Sequence, residues 1–147
     1  MISIRKAIPG AEQAIFDLIK ELALYEKAPE QVTNTAEQLG IDLFKENICD
    51  AIVATEDDVI IGFALYYISY STWKGKCLYL EDFYVQEEHR KCGAGGMLFD
   101  KVVEIAQELG VKRMDWQVLE WNELALRFYK KRNAILDHEW INGRLFF

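Results

Sequence analysis

The sequence predicts an α+β fold, a mixed and mostly antiparallel central sheet flanked by helices. Three observations carry that expectation. A hairpin meander fills the middle of the chain, a strand, helix, strand, helix alternation follows it, and no repeat or linker-like stretch divides the whole. The 147 residues match one compact domain. A domain of that size buries roughly 70% of the surface its unfolded chain exposes. Residues 1–147 are therefore read as a single domain.

Ile2-Ser-Ile-Arg-Lys-Ala alternates apolar and polar residues and reads as a first strand, closed by the break at Pro9-Gly10. From Ala11 to about Glu26 the apolar residues Ala14, Ile15, Leu18, Leu22 and Tyr25 recur at helical spacing, and Pro29 follows. Thr35-Ala-Glu-Gln38 fits a capping box, which opens a short helix to about Lys45. Ala51-Ile-Val-Ala-Thr, a turn at Glu56-Asp57-Asp58 and the β-branched and aromatic run from Val59 to Tyr70 form a hairpin. After Lys74-Gly75-Lys76, a strand runs from Cys77 to Val85. Ala94 to Leu109 is a helix with Leu98, Val102, Ile105 and Leu109 on one face, stopped by Gly110. Val111 to Glu120 is strand-like and Asn122 to Arg132 helix-like. The tail from Ala134 to Phe147 is expected to return as one or two strands.

The composition narrows the function. At 51% hydrophobic, 28% charged and 13% aromatic residues, the chain has the balance of a globular domain and not of a disordered or collagen-like one. Asp and Glu outnumber Lys and Arg by 24 to 17, and the net charge of −7 repels a polyphosphate backbone, so a cationic ligand is favoured over nucleic acid. Cys49, Cys77 and Cys92 are odd in number and fall in no metal-ligand spacing, which argues for a reducing, cytoplasmic setting and against a zinc site. Arg5 and Lys6 at the start, without an apolar segment and a small-residue cleavage site, do not read as a signal peptide. The longest uncharged stretch, Val59 to Trp73, falls short of the ~20 residues of a membrane-spanning helix and contains Gly62.

His89-Arg-Lys-Cys-Gly-Ala-Gly-Gly96 lies between a predicted strand and a predicted helix, so its backbone N–H groups line the positive end of that helix. Met97 in place of Lys-Ser/Thr excludes a Walker loop, and Leu98 falls where a dinucleotide fingerprint needs its third glycine. An Arg-x-x-Gly-x-Gly turn from Arg90 to Gly95 remains, which reads either as an anion cradle or as a glycine-rich helix start.

That turn comes with Leu78-Tyr-Leu-Glu-Asp-Phe-Tyr-Val before it and Glu120-Trp-Asn-Glu and Phe128-Tyr-Lys-Lys-Arg after it. Further upstream stand Leu18-Ile-Lys-Glu-Leu-Ala-Leu-Tyr-Glu-Lys and Tyr66-Tyr-x-x-Tyr-x-x-Trp-x-Gly75. The combination resembles the GNAT acetyltransferases, and within them the diamine acetyltransferase subgroup that holds the spermidine/spermine and thialysine enzymes. The resemblance runs from the first strand to about Ala134. It implies a GNAT-like sheet, acetyl-CoA as cosubstrate and no metal. It also implies that Arg90, Lys91, Cys92, Gly93, Ala94, Gly95 and Gly96 cradle the coenzyme A pyrophosphate. Phe83, Tyr84 and Val85 border the pantetheine, with Phe83 and Val85 pairing through their backbones, and Asn122 and Ala125 line the other side. A homodimer is implied as well.

Acetyl transfer needs a neutral amine, and deprotonating a lysine-type ammonium at pH 7 costs about 4.6 kcal/mol. By resemblance Glu81 is the base, acting through water; its other reading is a charge that only binds the ammonium. Adjacent Asp82 points to the opposite face in an ideal strand. Tyr129 is the acid that protonates the leaving thiol, near Lys130, Lys131 and Arg132; its other reading is a tyrosine that packs its ring and solvates its hydroxyl. A backbone N–H near Phe83 meets the developing oxyanion.

Tyr25, Glu26, Trp73 and Trp121 match positions that border the amine in the resembling enzymes, and aromatic faces with a carboxylate suit a desolvated ammonium. By spacing alone Tyr25 and Trp73 read sooner as core residues, since aromatics on amphipathic elements usually pack. Asp115 and Gln117 are placed toward the same cleft. Where the polyamine branch resembles Tyr-Asp-Pro-Trp, this chain has Tyr70-Ser-Thr-Trp73, so Ser71 replaces a carboxylate and the pattern looks like the thialysine branch. A lysine-like side-chain amine is the first expectation for the acceptor and a polyamine the second. Asn133 stands where the family has glycine, in a position that tolerates a left-handed backbone. His138 is read as a surface residue and Cys92 as a spacer. Two other classes stay open: a protein N-acetyltransferase, indifferent to free amines, and a non-catalytic acyl-CoA sensor, which binds cofactor without transfer.

Overall fold

A computed structural model describes all residues, 1–147, as two compact units, Met1–Gln117 and Val118–Phe147. The first unit is built on a five-stranded sheet in the order β1-β2-β3-β4-β5, with β1 at Ile2–Lys6, β2 at Asp50–Glu56, β3 at Val59–Ser71, β4 at Gly75–Val85 and β5 at Met114–Asp115. Neighbours are antiparallel except β4 and β5, which run parallel. Helices α1 (Glu12–Tyr25), α2 (Ala36–Phe44) and α3 (Ala94–Glu108) complete the unit, with short 3-10 turns at Pro29–Gln31 and Glu87–Cys92. None of these helices is long and apolar enough to cross a membrane.

Local chemistry explains the boundaries. Thr35 Oγ1 accepts the Gln38 N–H at 3.1 Å, half of the expected capping box; the Gln38 amide turns instead to Asp42 Oδ1 at 3.1 Å. The β2–β3 hairpin turns on Asp57 and Asp58, with φ of 50° and 64°, the two positive dihedrals of a primed turn that matches the twist of its strands. Gly110, with φ of 69°, follows α3 and releases the chain toward β5.

The strand register sorts side chains onto two faces. Ala51, Leu65 and Asp82 align across β2, β3 and β4, as do Val53, Phe63 and Tyr84. This face packs on Ile15, Phe16 and Leu18 of α1 and Leu39 and Leu43 of α2. The other face carries Ile52, Ala64 and Phe83, then Ala54, Gly62 and Val85, and meets α3, whose Leu98, Phe99 and Val102 are buried. Contact on that side is close: a Cβ on Gly62 would fall 2.9 Å from the Tyr84 carbonyl oxygen, 3.0 Å from Val85 Cγ2 and 3.2 Å from Leu98 Cδ1.

Two expectations are corrected. The strand expected over Val111 to Glu120 pairs only at Leu78↔Met114 and Tyr79↔Asp115. Beyond Tyr79 the two strands part, so the outer edge of β4 has no sheet partner on that side. In the second unit, α4 spans Glu123–Lys131 and no strand follows it. An extended segment becomes a strand only when its backbone groups find a partner, and Ile135, Trp140, Ile141, Leu145 and Phe146 stay exposed. Asn122 caps α4 by accepting the Ala125 N–H at 3.2 Å, and Asn133 adopts φ of 63° just past its end, as its tolerance of that conformation predicts.

Gly62→Ala is expected to destabilise the fold by about 1–3 kcal/mol through this overpacking. Differential scanning calorimetry checks it, as a fall of several degrees in Tm.

Candidate functional site

The centre of the site is an irregularity in β4. Tyr66 pairs with Leu80 and Leu65 with Asp82, so Glu81 is an extra residue in β4, a β-bulge. Beyond it the side-chain alternation shifts by one. Asp82 therefore joins the α1/α2 face, where Glu81 also lies, and the expectation that Asp82 points away from Glu81 is corrected. Both carboxylates border one cavity of about 480 Å³, whose apolar walls include Phe16, Ile19, Val32, Leu39 and Leu65, and whose polar lining adds Asp42 and Tyr67. Cys49 also borders it, and burial, then Asp42 and Asp50, push its thiol up from the ordinary range. The sequence reading missed Asp82, Asp42, Tyr67 and Cys49. Two consecutive acids in an otherwise apolar strand were the one available signal for Asp82.

The electrostatics are those of crowded carboxylates. Asp82 is pushed up to about 7, first by burial and then by the charges of Glu81 and Glu26. Burial also raises Glu26, the residue just past α1. Tyr67 and Tyr79 lie with ring centroids 5.3 Å apart. Burial, then Glu81, raises both phenols, Tyr79 to about 12, so they stay protonated beside the acids. Asp115 is turned to Arg113, whose Nε donates to its Oδ2 at 2.9 Å, and it does not border the cavity. Gln117 is exposed. Trp73, 87% exposed, sits on the β3–β4 turn, which Ser71 Oγ stabilises by accepting the Trp73 and Lys74 N–H groups at 3.2 and 3.1 Å.

The glycine turn has the features of an anion cradle. Gly93 is left-handed, with φ of 85°, and stands at the start of α3, where no side chain caps the first turn. The Met97 N–H is the one that bonds back to the Gly93 carbonyl, at 3.1 Å, and the donors of Ala94, Gly95 and Gly96 precede it at the positive helix end. Packing does not demand glycine at 93 or 95: a Cβ on Gly93 would meet nothing within 4 Å, and one on Gly95 would come no nearer than 3.7 Å to the Phe83 ring. Cradle and cleared space suit a pyrophosphate. The Gln86 N–H donates to Ile61 O on β3 at 2.9 Å, so strand alternation turns the backbone groups of Phe83 and Val85 toward the outer edge of β4, away from β3. Tyr84 is directed inward, its hydroxyl donating to Glu21 Oε1 at 3.3 Å. Cys92 Sγ donates to His89 O at 2.6 Å, and Lys91 is exposed. Arg90, itself exposed, is tied back to β4, its Nε donating to Val85 O at 2.9 Å.

In the second unit Tyr129 is the buried residue of α4, stacked edge-on to Phe128 at 5.4 Å between centroids. Arg132 lies 3.9 Å over the Phe128 ring, while Lys130 and Lys131 occupy the last turn, favourable to the helix dipole. Trp121 is 45% exposed. His138 is a surface residue 3.4 Å from Glu120.

Comparison with known proteins gives a consistent result. The acetyltransferase (GNAT) family matches residues 13–134. A thialysine N-epsilon-acetyltransferase from Bos taurus is 39% identical over 142 residues, covering 90% of this chain and 84% of that protein. The spermidine/spermine N(1)-acetyltransferase-like protein 1 of Homo sapiens is 34% identical over 140 residues, which is 90% of this chain and 20% of that protein. The crystal structure of an aminoglycoside acetyltransferase, meta-AAC0020, from an uncultured soil metagenomic sample in complex with trehalose, shares the fold with a TM-score of 0.81. That match covers 99% of this chain and 96% of the other at 17% identity.

Because Asp82 keeps its proton to about pH 7 when folded and releases it near 3.9 when unfolded, the native state binds the extra proton across that window. Stability from this group therefore falls as pH rises from about 4 to about 7. Asp82→Asn is expected to gain stability relative to the unaltered chain on going from pH 5 to pH 7.5. Urea midpoints at the two pH values measure it, and a constant difference would contradict the raised carboxyl.

Proposed function

The chain belongs to the acetyltransferase (GNAT) family, and from that premise we propose that it is an acetyl-CoA-dependent N-acetyltransferase of small cationic amines, with residues 1–147 forming one catalytic domain. The observation that carries the reading is the bulge, which gathers Glu81 and Asp82 on an apolar-walled cavity in a unit that also carries an uncapped, glycine-started helix. Acetyl-CoA supplies the activated acetyl group as a thioester. The residues that suit its phosphates are the backbone donors from Gly93 to Gly96 with Lys91, and the outer edge of β4 at Phe83 and Val85, past the end of β5, suits its pantetheine.

Glu81 takes the proton of the incoming ammonium through water, which makes the nitrogen nucleophilic. The neutral nitrogen attacks the thioester carbonyl, a backbone N–H near Phe83 receives the negative charge that develops on oxygen, the carbon–sulfur bond breaks as Tyr129 protonates the departing sulfur, and the extra proton left on the acylated nitrogen is released to restore the Tyr129 phenol. Asn122 and Ala125 border the cofactor, while Tyr25, Glu26 and Trp121 border the amine. The exposure of Trp73 supports a homodimer in which that ring reaches the acceptor site of the other copy.

For the acceptor, Ser71 favours a lysine-like side-chain amine such as thialysine, since no carboxylate at that position repels the substrate's own. The thialysine relative supports this choice. A polyamine is the second reading, favoured by the three carboxylates of Asp42, Glu81 and Asp82 around one cavity.

Thiol release from acetyl-CoA, followed with lysine, thialysine, spermidine and spermine, tests the proposal. Turnover is expected to be best with thialysine or lysine. Glu81→Gln and Tyr129→Phe are each expected to lower kcat by about 10²- to 10⁴-fold with the fold intact. A preference for spermidine moves the assignment to the second reading. Cofactor binding without turnover of any amine would overturn the enzyme assignment for free amines.

A further inference from the structure

Arg90 leads into the glycine turn, where charge alone suggests a side chain aimed at phosphate. Its guanidinium is used differently. The carbon Cζ lies 5.0 Å from the Tyr25 ring centroid and 5.4 Å from that of Tyr84, and Nε donates to the Val85 carbonyl at 2.9 Å. Tyr84 is in turn tied to α1, because its hydroxyl donates to Glu21 Oε1 at 3.3 Å and Gln86 Nε2 donates to Glu21 Oε2 at 3.2 Å. One guanidinium thus joins three elements: the last turn of α1, the end of β4 and the 3-10 turn that runs into the glycines. Tyr25 is followed directly by Glu26, one of the two carboxylates whose charge acts on Asp82.

We propose that Arg90 is a positioning residue, a latch clamped by Tyr25 and Tyr84 on the Val85 carbonyl, that fixes the coenzyme A turn against the end of α1. The proposal rests on the acetyltransferase reading above. Guanidinium chemistry is what the arrangement needs: a planar group presents faces to aromatic rings while its Nε–H donates in plane, and an ammonium cannot do both. Tyr25 contributes to cofactor binding without contact to the cofactor, through the group it holds.

The test measures coenzyme A affinity by isothermal titration calorimetry without any amine, using the full chain. Tyr25→Leu is expected to weaken binding about twofold to fivefold, the range for loss of one partly exposed cation–ring contact. Tyr25→Phe, which keeps the ring face, retains wild-type affinity. Arg90→Lys keeps the charge but loses the fork, and binding is expected to weaken with no further loss on adding Tyr25→Leu, because the two changes break the same contact. Wild-type affinity in Tyr25→Leu or in Arg90→Lys would overturn the latch, as would independent, additive losses. Thermal melts establish that each variant is folded, and Arg90→Lys decides the question should Tyr25→Leu unfold. Absence of coenzyme A binding by the unaltered chain would overturn the acetyltransferase reading and the latch with it, an outcome distinct from failure of the latch alone.

Discussion

The bulge at Glu81 is the constraint from which the rest of the site follows. Without it, strand alternation puts Glu81 and Phe83 on one face of β4 and Asp82 and Tyr84 on the other. With it, Glu81, Asp82 and Tyr84 share the α1/α2 face, and Phe83 turns to the α3 face, where its ring meets Phe99 edge-on at 5.9 Å between centroids. The same shift leaves the backbone groups of Phe83 and Val85 at the edge that β5 vacates after Tyr79. One inserted residue thus assembles the acid pair, anchors the aromatic packing over α3 and turns two backbone units to the outer edge of the strand.

Much of the fold was legible because its signals are local. Helical spacing from Ala14 to Tyr25, the Thr35 cap, the Asp57-Asp58 turn and the glycine stop at Gly110 each depend on residues a few positions apart, and each is found where the chain predicts it. The parts that differ depend on a distant partner. The alternation from Val111 to Glu120 suits a strand, but its pairing lasts only while β4 runs alongside, and that is decided by the divergence after Asp115. The tail after Ala134 likewise has apolar residues suited to a strand and no partner strand to pair with.

The site divides in the same way. The glycine turn was readable from its composition, since positive φ at Gly93 and an uncapped helix start are properties of the segment itself. Asp82 was not, because a bulge leaves no mark in the sequence of the bulged strand; its partner register decides it. Arg90 is an intermediate case. Its identity suggested a phosphate ligand, but the aromatic rings that hold it come from α1 and from the inward face of β4, and only the tertiary arrangement brings Tyr25 and Tyr84 to it.

The acid cluster also carries a consequence for any cation it receives. Burial is the larger cause of the raised Asp82 carboxyl, and the charges of Glu81 and Glu26 add to it. A cation entering among these carboxylates offsets both the repulsion and the lost solvation, so it lowers that pKa and favours release of the proton that Asp82 holds. Linkage makes the relation reciprocal: whatever drives that proton off strengthens the hold on the cation by the same factor. The cluster thereby adjusts its charge to its occupant, becoming more anionic when a positive group is present. Apolar walls amplify the effect, because they keep water from screening the carboxylates and the cation from one another. Apolar walls that include Phe16, Ile19, Val32, Leu39 and Leu65 make the neighbouring acids costly in the absence of a cation, and that cost becomes a driving force for binding positive charge.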